Sequence, residues 1–356
     1  MMGKQVAVAL SGGVDSSIAA YLLKRDGYDV RGLTLRLWPD NQSKSPCTVK
    51  WNFPSQDIEP MVKTFQMLDI PFQVVDASIE FEKNVLVPFC KEYESGRTPN
   101  PCIHCNRMIK FGILLEHALS TGADYLATGH YAGVRHDTAG YHLLKGEDAA
   151  KDQSYILYTL NQHQLRHILF PLAQYRKTEV REIARKVGLP SADRKGSQDA
   201  CFIPGDYREF ISNCIAGTPG EIVDQQGKIL GRHRGIAFYT IGQRHSLGLP
   251  SNRQMYVIKI DAEKNRLVVG HVQDLLSREL TASDLHWVSG NAPLETIPTK
   301  AKIRYKSAEA EARLMVSSST AKVIFTEPQR AVTPGQAVVF YHGNEVIGGG
   351  TIEKAE

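Results

Sequence analysis

The sequence lacks any run of 18 or more apolar residues, the length that a membrane-spanning helix requires. It begins MMGKQVAVALSGG and passes directly into a strand pattern, with no signal-peptide cleavage site, so we expect a cytoplasmic protein with no membrane partner. It also lacks an excess of charge of one sign, because 42 Lys and Arg against 38 Asp and Glu leave a net charge of +4. This balance alone indicates neither nucleic acid nor a membrane surface as a partner.

Cysteine is scarce as well. The chain has six cysteines in 356 residues, too few for a secreted disulfide scaffold. In a reducing compartment, cysteines at short spacing are typical of metal-binding or catalytic sites. The rest of the composition, with 42% hydrophobic and 22% charged residues, is that of a globular protein, and the length predicts two or three domains.

Periodic patterns in the first half of the chain alternate between strand and helix. Strand patterns cover residues 5–10, 29–37, 72–77 and 124–132, and helical spacing covers 16–25, 57–68, 161–169 and 178–187. This alternation favours an α/β fold with a doubly wound parallel sheet, which binds ligands at the carboxyl ends of its strands. From Gly220 onward, short β-branched runs between turn pairs predict antiparallel β structure. We therefore expect three domains: a catalytic α/β domain at 1–205, a small β-rich domain at 206–278 and a C-terminal β domain at 279–356.

A turn rich in glycine and serine, ALSGGVDSS at residues 9–17, lies between the first strand and the first helix. The backbone N–H groups of such a turn, together with the positive end of the helix dipole, can bind phosphates. The turn lacks the Lys-Ser/Thr of a Walker A loop and the third glycine of a dinucleotide fingerprint. Asp15 would stand where a carboxylate can hold Mg²⁺. The alternative is a turn selected for tight packing and helix capping.

At this turn the sequence resembles the PP-loop ATP pyrophosphatases, which are Rossmann-like proteins of the adenine nucleotide alpha hydrolase type. The resemblance implies that Mg²⁺ and ATP bind here, that ATP is cleaved between its α- and β-phosphates, and that Asp15 is catalytic. The implied ATP-binding residues are Ala9, Leu10, Ser11, Gly12, Gly13, Val14, Asp15, Ser16, Leu35 and Gly129.

Cys102 and Cys105 form a C-x-x-C pattern on a proline-rich loop that leads into a helix predicted from residue 106 onward. The helix N-terminus and the neighbouring Arg107 would favour a thiolate at this point. The alternative is half of a structural zinc site, which His104 or His130 could complete.

The other four cysteines carry weaker signals. Cys201 lies in GSQDACFI, on a polar loop, where it could be reactive or an inert buried thiol. Cys47, Cys90 and Cys214 belong to no motif, and we expect no chemistry from them.

Taken together, the motifs resemble those of the bacterial tRNA-specific 2-thiouridylases. They occur in order between residues 5 and 352, as SGGVDSS, TPNPCIHCNRMIKF, ATGHYA, KDQSYILY, GSQDACFI, YTIGQRHSLGL, KIRYKS and RAVTPGQAVVFY. The resemblance implies an ATP-dependent tRNA-uridine 2-sulfurtransferase whose last domain is a β-barrel.

The resemblance also implies a division of roles between two cysteines. Cys105 would be the nucleophile, Cys201 would carry sulfur as a persulfide, and the two would form a transient catalytic disulfide. The C2 oxygen of the wobble uridine would be adenylated, and persulfide sulfur would attack C2 with release of AMP and pyrophosphate. A sulfur-donor protein, such as a cysteine desulfurase or a sulfur carrier, would load Cys201. Because the thiolate attacks, this mechanism predicts depressed pKa values for both thiols.

One alternative stays open for the same thiols. Cys102, Cys105 and Cys201 could together hold an iron–sulfur cluster instead of passing a persulfide.

The proposed macromolecular partner is the anticodon stem-loop of tRNA. The resemblance assigns to tRNA contacts the residues Asn100, Pro101, Cys102, Lys151, Asp152, Gln153, Arg304 and Tyr305. Residues 225–260 contain no acid, and their basic side chains suit RNA phosphates or, alternatively, form an ordinary solvated surface; they are Lys228, Arg232, Arg234, Arg244, Arg253 and Lys259. Two competing functions are a small-molecule PP-loop ligase of the amidating kind and a non-catalytic, zinc-containing RNA-binding protein.

Overall fold

Five parallel strands form a sheet in the N-terminal part of the computed structural model, which describes residues 3–38, 59–193, 200–203, 205–249 and 254–356. In the order β3-β2-β1-β4-β7, the strands are β3 (Phe72–Asp76), β2 (Asp29–Arg36), β1 (Gln5–Ala9), β4 (Tyr125–Ala127) and β7 (Ile168–Leu169). Val6, Ala7 and Val8 of the central strand are completely buried, as expected where helices cover both faces of a parallel sheet. The predicted α/β fold with a parallel sheet is confirmed.

The order of the strands creates a crevice between β1 and β4. From β1 the chain continues outward to β2 and β3, and it then returns to β4 on the other side of β1. Ligands of open α/β sheets bind at such a switch point, outside the carboxyl ends of the strands. The pairing of Val8 with Ala127 brings the residues after β1 beside the residues after β4.

Helices flank this sheet. The α-helices are Val14–Arg25, Glu59–Leu68, Gln162–Arg166, Lys177–Val187 and Tyr207–Cys214. Two longer helices, 78–94 and 101–120, change from α to π and back, with segments Ser78–Phe81, Glu82–Leu86 (π), Val87–Glu94, Pro101–His104, Cys105–Leu114 (π) and Leu115–Ser120. Short 3₁₀ turns occupy Ser154–Leu157, Ile236–Phe238 and Val272–Leu275.

Most of the predicted elements are observed, but two are wrong in part. The predicted strand 124–132 ends after residue 127, and a separate strand, β5 (Ala132–Asp137), joins another sheet. The predicted helix 161–169 ends at Arg166 because β7 begins at Ile168. Gly188, with φ +75°, ends the helix Lys177–Val187 as predicted, since glycine adopts the left-handed conformation without steric cost. Of the predicted helix 57–68, residues 57 and 58 lie outside the described part.

A small sheet follows in the middle of the chain. Among the described residues its order is β10-β11-β8-β9, formed by β8 (Gly220–Val223), β9 (Ile229–His233), β10 (Tyr256–Asp261) and β11 (Arg266–Gly270). The prediction of purely antiparallel structure is wrong at one place, because β8 and β11 pair in parallel.

The C-terminal strands close into a barrel. In chain order they are β12 (Leu276–Trp287), β13 (Ile297–Lys302), β14 (Ala310–Ser317), β15 (Thr320–Arg330), β16 (Ala337–His342) and β17 (Glu345–Ala355), and pairing of β12 with β17 completes the ring. Buried side chains such as Leu314, Phe325 and Phe340 fill it. The hairpin of β5 and β6 (Gly140–Lys145) attaches to β17, so the barrel sheet includes chain from the N-terminal part. The predicted C-terminal β-barrel is confirmed.

Within the described residues, no helix combines the length and the apolar character needed to cross a bilayer.

Candidate functional site

The turn after β1 has the backbone expected of a phosphate-binding loop. Gly12 has φ +74°, and Gly13 precedes the first residue of the helix Val14–Arg25. Ser16 Oγ donates to the Gly13 carbonyl at 3.1 Å and accepts from the Ser11 backbone N–H at 3.3 Å, so the loop is closed on itself. The helix N-terminus is directed into the crevice between β1 and β4, where its dipole favours an anion.

Asp15, in the first turn of that helix, is already engaged by two side chains. Lys177 Nζ lies 2.6 Å from both carboxylate oxygens, and the Tyr131 hydroxyl donates to Oδ1 at 2.7 Å. Burial and, to a smaller extent, the charge of Asp15 raise the pKa of Tyr131 well above its ordinary value, so Tyr131 remains a hydrogen-bond donor. A divalent cation can bind a carboxylate at the place where an ammonium group now contacts it. The chemistry of Asp15 therefore suits the predicted role of Mg²⁺ ligand.

Of these two partners of Asp15, Tyr131 lies within the motif ATGHYA, whereas Lys177 belongs to none of the motifs and was not predicted as a site residue. Lys177 is the first residue of the helix Lys177–Val187 and is 162 residues from Asp15. Its backbone N–H donates to Asp148 Oδ2 at 2.9 Å, which orients the start of that helix. No local sequence signal marks such a contact.

Gly129 lies directly against the phosphate loop. A Cβ atom at this position would stand 2.6 Å from the backbone carbon of Asp15 and 2.6 Å from the backbone nitrogen of Ser16. Glycine is therefore required for β4 and the loop to approach this closely. Leu35, near the end of β2, is half-buried and packs against the core cluster to which Cys105 also belongs.

The cysteine helix, residues 101–120, begins five residues earlier than predicted. Asn100 caps it by accepting from the Cys102 backbone N–H at 3.1 Å, and Pro101 occupies its first position. Cys105 is the first residue of the π-helical segment, one turn inside the helix, and is buried with 7% exposed surface. It therefore lies away from the helix N-terminus that was expected to favour its thiolate.

The prediction of depressed thiol pKa values is wrong for this structure. Burial raises the pKa of Cys105 to about 12, and burial raises the pKa of Cys201 to about 11 although Cys201 is an exposed residue overall. Burial also raises the pKa of Cys102. Arg107, which was expected to offset this effect, lies 3.5 Å from the carboxylate of Asp284.

Lys110 is the cation that opposes burial, and it was missed from the sequence. Its charge lowers the pKa values of Cys102, Cys105 and Cys201. The π-helix places it there, because i to i+5 hydrogen bonding sets residue 110 one turn above residue 105.

The fold brings together the cysteines of two distant segments. Cys201 and Cys102 each raise the pKa of Cys105 through their charges, so the three thiols lie within electrostatic range of one another. Even so, in the described ranges no group of three or more His, Cys, Asp or Glu side chains is arranged to hold a metal ion.

The two histidines considered for a zinc site have other surroundings. His130 is buried beside Thr128 Oγ1 at 2.7 Å, and burial lowers its pKa well below the ordinary value. Burial, followed by the charge of Arg107, also lowers the pKa of His104.

The other cysteines lie elsewhere. Cys90 is buried, Cys214 is partly buried and donates to the Phe210 carbonyl at 3.2 Å, and Cys47 lies outside the described residues.

Electrostatic interactions of Tyr305 connect three of the segments that carry predicted tRNA residues. Tyr305 of the barrel domain is half-buried, and burial, followed by the charges of Asp152 and Cys102, raises its pKa to about 12. Asp152 Oδ1 accepts from the Ser154 backbone N–H at 3.1 Å, and Gln153 Oε1 accepts from the Tyr131 backbone N–H at 3.0 Å. Lys151 is exposed.

Arg304 has a different environment from the one expected of a phosphate contact. One of its guanidinium nitrogens donates to the Ala331 carbonyl and to Thr333 Oγ1, both at 2.6 Å, and approaches the Ile241 carbonyl at 3.4 Å. The first two bonds lie within the C-terminal domain, and the third reaches the central domain at Ile241.

The basic stretch of the central sheet faces solvent. Its described basic side chains are all exposed, namely Lys228, Arg232, Arg234, Arg244 and Lys259, whereas Arg253 lies outside the described residues.

Comparison with known proteins gives matches along the whole chain. Residues 4–205 match the family described as tRNA methyl transferase HUP domain, residues 208–271 the tRNA methyl transferase PRC-barrel domain, and residues 277–352 the aminomethyltransferase beta-barrel domain. The chain is 48% identical over 365 residues to tRNA-specific 2-thiouridylase MnmA 1 of Caldanaerobacter subterraneus subsp. tengcongensis, covering 99% of each chain. It is 46% identical over 351 residues to tRNA-specific 2-thiouridylase MnmA of Syntrophomonas wolfei subsp. wolfei, covering 98% of this chain and 99% of that one. A solved 4-thiouridine synthetase–RNA complex with bound ATP is 20% identical, with a TM-score of 0.36, and covers 56% of this chain and 44% of the other.

Proposed function

The chain belongs to the tRNA-specific 2-thiouridylase family and is a tRNA sulfurtransferase, and we propose that it converts the wobble uridine of tRNA to 2-thiouridine at the expense of ATP. The observation that carries the proposal is that Cys201 lies within electrostatic range of Cys105, although the two are 96 residues apart, while Leu35 at the end of β2 packs against the core cluster to which Cys105 belongs. A cytoplasmic location, where tRNA, ATP and reduced thiols occur together, is part of the proposal.

In the first half of the reaction, the phosphate loop binds ATP and the uridine C2 oxygen attacks the α-phosphorus. The helix N-terminus at Val14 stabilises the negative charge of the departing pyrophosphate. Asp15 would hold Mg²⁺, which supplies further charge neutralisation, and Lys177 is then free to contact phosphate oxygens. The adenylated oxygen leaves later as AMP, which is a far better leaving group than an oxide.

In the second half, sulfur replaces that oxygen. Cys201 receives sulfur as a persulfide from a sulfur-donor protein, and the terminal sulfur attacks C2 as AMP departs. The Cys105 thiolate then attacks the Cys201 sulfur, so that the S–S bond to the transferred atom breaks and a Cys105–Cys201 disulfide forms. Two electrons from a thiol reductant restore both cysteines for the next cycle.

We propose that the segment from Asn100 to Cys102 meets the target base and that Lys151, Asp152, Gln153 and Tyr305 contact the anticodon stem-loop. The wobble base lies in a single-stranded loop, from which it can be unstacked at modest cost. The exposed basic side chains of the central sheet suit contacts with the RNA backbone.

The test of the proposal is mass spectrometry of nucleosides from tRNA incubated with the protein, ATP and a sulfur donor. We expect 2-thiouridine at the wobble position, with one AMP and one pyrophosphate released per base. Cys201→Ser should abolish thiolation but retain adenylation, measured as pyrophosphate release, and Cys214→Ser is the matched control. Loss of both activities in Cys201→Ser would contradict the division of roles.

The persulfide route is distinguished from a cluster by metal analysis. The described thiols do not form a metal-holding group, so no step is assigned to an iron–sulfur cluster. Anaerobic purification that yields stoichiometric iron, bound through three cysteines and required for thiolation, would overturn the persulfide route.

A further inference from the structure

Two arginines bracket the segment 97–107, which carries Asn100, Cys102 and Cys105. At its first residue, Arg97 donates to both carboxylate oxygens of Glu353, at 2.7 and 3.3 Å. At its last residue, Arg107 Nη1 lies 3.5 Å from Asp284 Oδ2. The segment is therefore held at both ends by carboxylates that belong to the C-terminal barrel.

These two carboxylates, Asp284 and Glu353, form what we term the acidic pair, and they lie on neighbouring strands. Glu353 is on β17 and Asp284 is on β12, and Ser283 Oγ donates a hydrogen bond to Glu353. Asp284 has φ +46°, at an irregularity of β12 between Ser283 and His286. A left-handed non-glycine residue at a bulge costs conformational energy, and such bulges re-aim side chains near functional sites.

The backbone of the segment is fixed by the other domains as well. The Thr98 N–H donates to the Pro334 carbonyl at 2.9 Å, and the Thr98 hydroxyl donates to Thr240 Oγ1 at 3.2 Å. Gly335, with φ +89°, approaches so closely that a Cβ there would lie 2.8 Å from the Thr98 nitrogen. The segment that carries Cys105 is thus clamped from the barrel and from the central sheet.

We propose that Asp284 and Glu353 are positioning residues, through which the barrel holds segment 97–107 in the position needed for sulfur transfer. The inference rests on the proposed role of Cys105. A positioning role can be distinguished from a role in tRNA binding by the sign of the charge. Carboxylates near an RNA-binding face repel phosphates, so these two residues are not expected to bind tRNA. Removal of either charge should therefore leave tRNA affinity unchanged or raise it.

Ion pairs with partly exposed partners contribute little to stability. The exposed side-chain fractions are 22% for Arg97, 38% for Glu353 and 54% for Asp284. Glu353→Gln and Asp284→Asn should therefore fold, and their effect should be on geometry. Because a displacement of about 1 Å near reacting groups can cost on the order of 100-fold in rate, we expect the double variant to lose about 10- to 100-fold in kcat for 2-thiouridine formation.

The experiment compares wild type, Glu353→Gln, Asp284→Asn, the double variant and Glu311→Gln. Glu311 is the matched control, since it is on the same barrel and pairs with Lys300 at 3.4 Å but is 67% exposed. We expect kcat to fall in the acidic-pair variants, while KM for tRNA stays equal or decreases. Alkylation of Cys105, followed by peptide mass spectrometry with Cys214 as the internal reference, should accelerate because the helix start is loosened.

Three outcomes would overturn the inference. They are a kcat within about twofold of wild type in the double variant, a rise in KM for tRNA with kcat unchanged, and unchanged alkylation of Cys105. Failure of the wild type itself to form 2-thiouridine would instead count against the proposed function, so the two ideas fail in distinguishable ways.

Discussion

Gly129→Ala is a direct test of the nucleotide site, because the structure fixes what the added methyl group meets. The new Cβ would stand 2.6 Å from backbone atoms of Asp15 and Ser16, where ordinary contacts begin at 3.4 Å. The two chain segments must therefore separate by about 0.8 Å. Both partners are backbone atoms, so no side-chain rotation can relieve the contact. Gly129 does not have a positive φ, so an alanine there would not suffer backbone strain.

The expected loss follows from that displacement. The phosphate loop carries the N–H groups that we propose as ATP ligands, and a shift of about 1 Å in a positioning element can cost on the order of 100-fold in rate. A 100-fold loss corresponds to about 2.7 kcal/mol of transition-state stabilisation. We therefore expect kcat/KM for ATP to fall by about two orders of magnitude, whereas tRNA affinity should remain close to that of wild type.

The assay is tRNA-dependent pyrophosphate release at varied ATP, with tRNA binding measured separately by filter retention. Gly133→Ala is the matched control, since it adds the same methyl group four residues away. Its Cβ would meet Leu144 Cβ at 3.3 Å and other atoms only at 3.8 Å or beyond, so activity should stay within about twofold. If Gly129→Ala released pyrophosphate with wild-type kcat/KM, the loop would not be the nucleotide site.

Three further predictions follow from single contacts. Lys110→Met should raise the pKa of the thiols on the cysteine helix and slow their alkylation between about pH 8 and 10, since the thiolate loses its cation; a pH–rate curve equal to wild type would contradict this. Lys177→Met should lower kcat/KM for ATP at least about tenfold in pyrophosphate release, because Asp15 and the phosphates lose an ammonium group; unchanged kinetics would refute the role. Arg304→Ala should lower the free energy of urea unfolding by about 1–3 kcal/mol, since it removes two hydrogen bonds to partly buried acceptors, whereas Arg244→Ala, which removes an exposed side chain, should leave it unchanged.

Local signals predicted the sheet and the phosphate loop. The apolar run of β1, the glycines after it and the helical spacing that follows are all contained in about 20 residues, and tertiary context did not override them. The end of the helix Lys177–Val187 was predicted for the same reason, because Gly188 supplies a left-handed conformation that other residues adopt only at a cost.

Non-local contacts could not be predicted in this way. The run from 124 to 132 looks like one strand, yet β4 pairs with β1, whereas β5 pairs with β6 and so joins the barrel sheet through β17. The contact between Lys177 and Asp15 joins residues 162 apart and leaves no trace in either local segment. The π-helical segment is similar, because its i to i+5 register depends on packing against neighbouring elements as well as on residue type.

The raised thiol pKa values require that another group favour the thiolate form when sulfur is transferred. A thiol that remains protonated near neutral pH is a weak nucleophile, and it resists alkylation and oxidation by peroxides. A cysteine that takes part in sulfur transfer, in competition with the oxidants and electrophiles of the cell, gains selectivity from such protection. Its reactivity must then be raised locally, and Lys110 is the charge in place to do so at all three thiols. Burial thus suppresses unwanted reactions of Cys105, while the lysine one π-helical turn away limits the cost to the intended reaction.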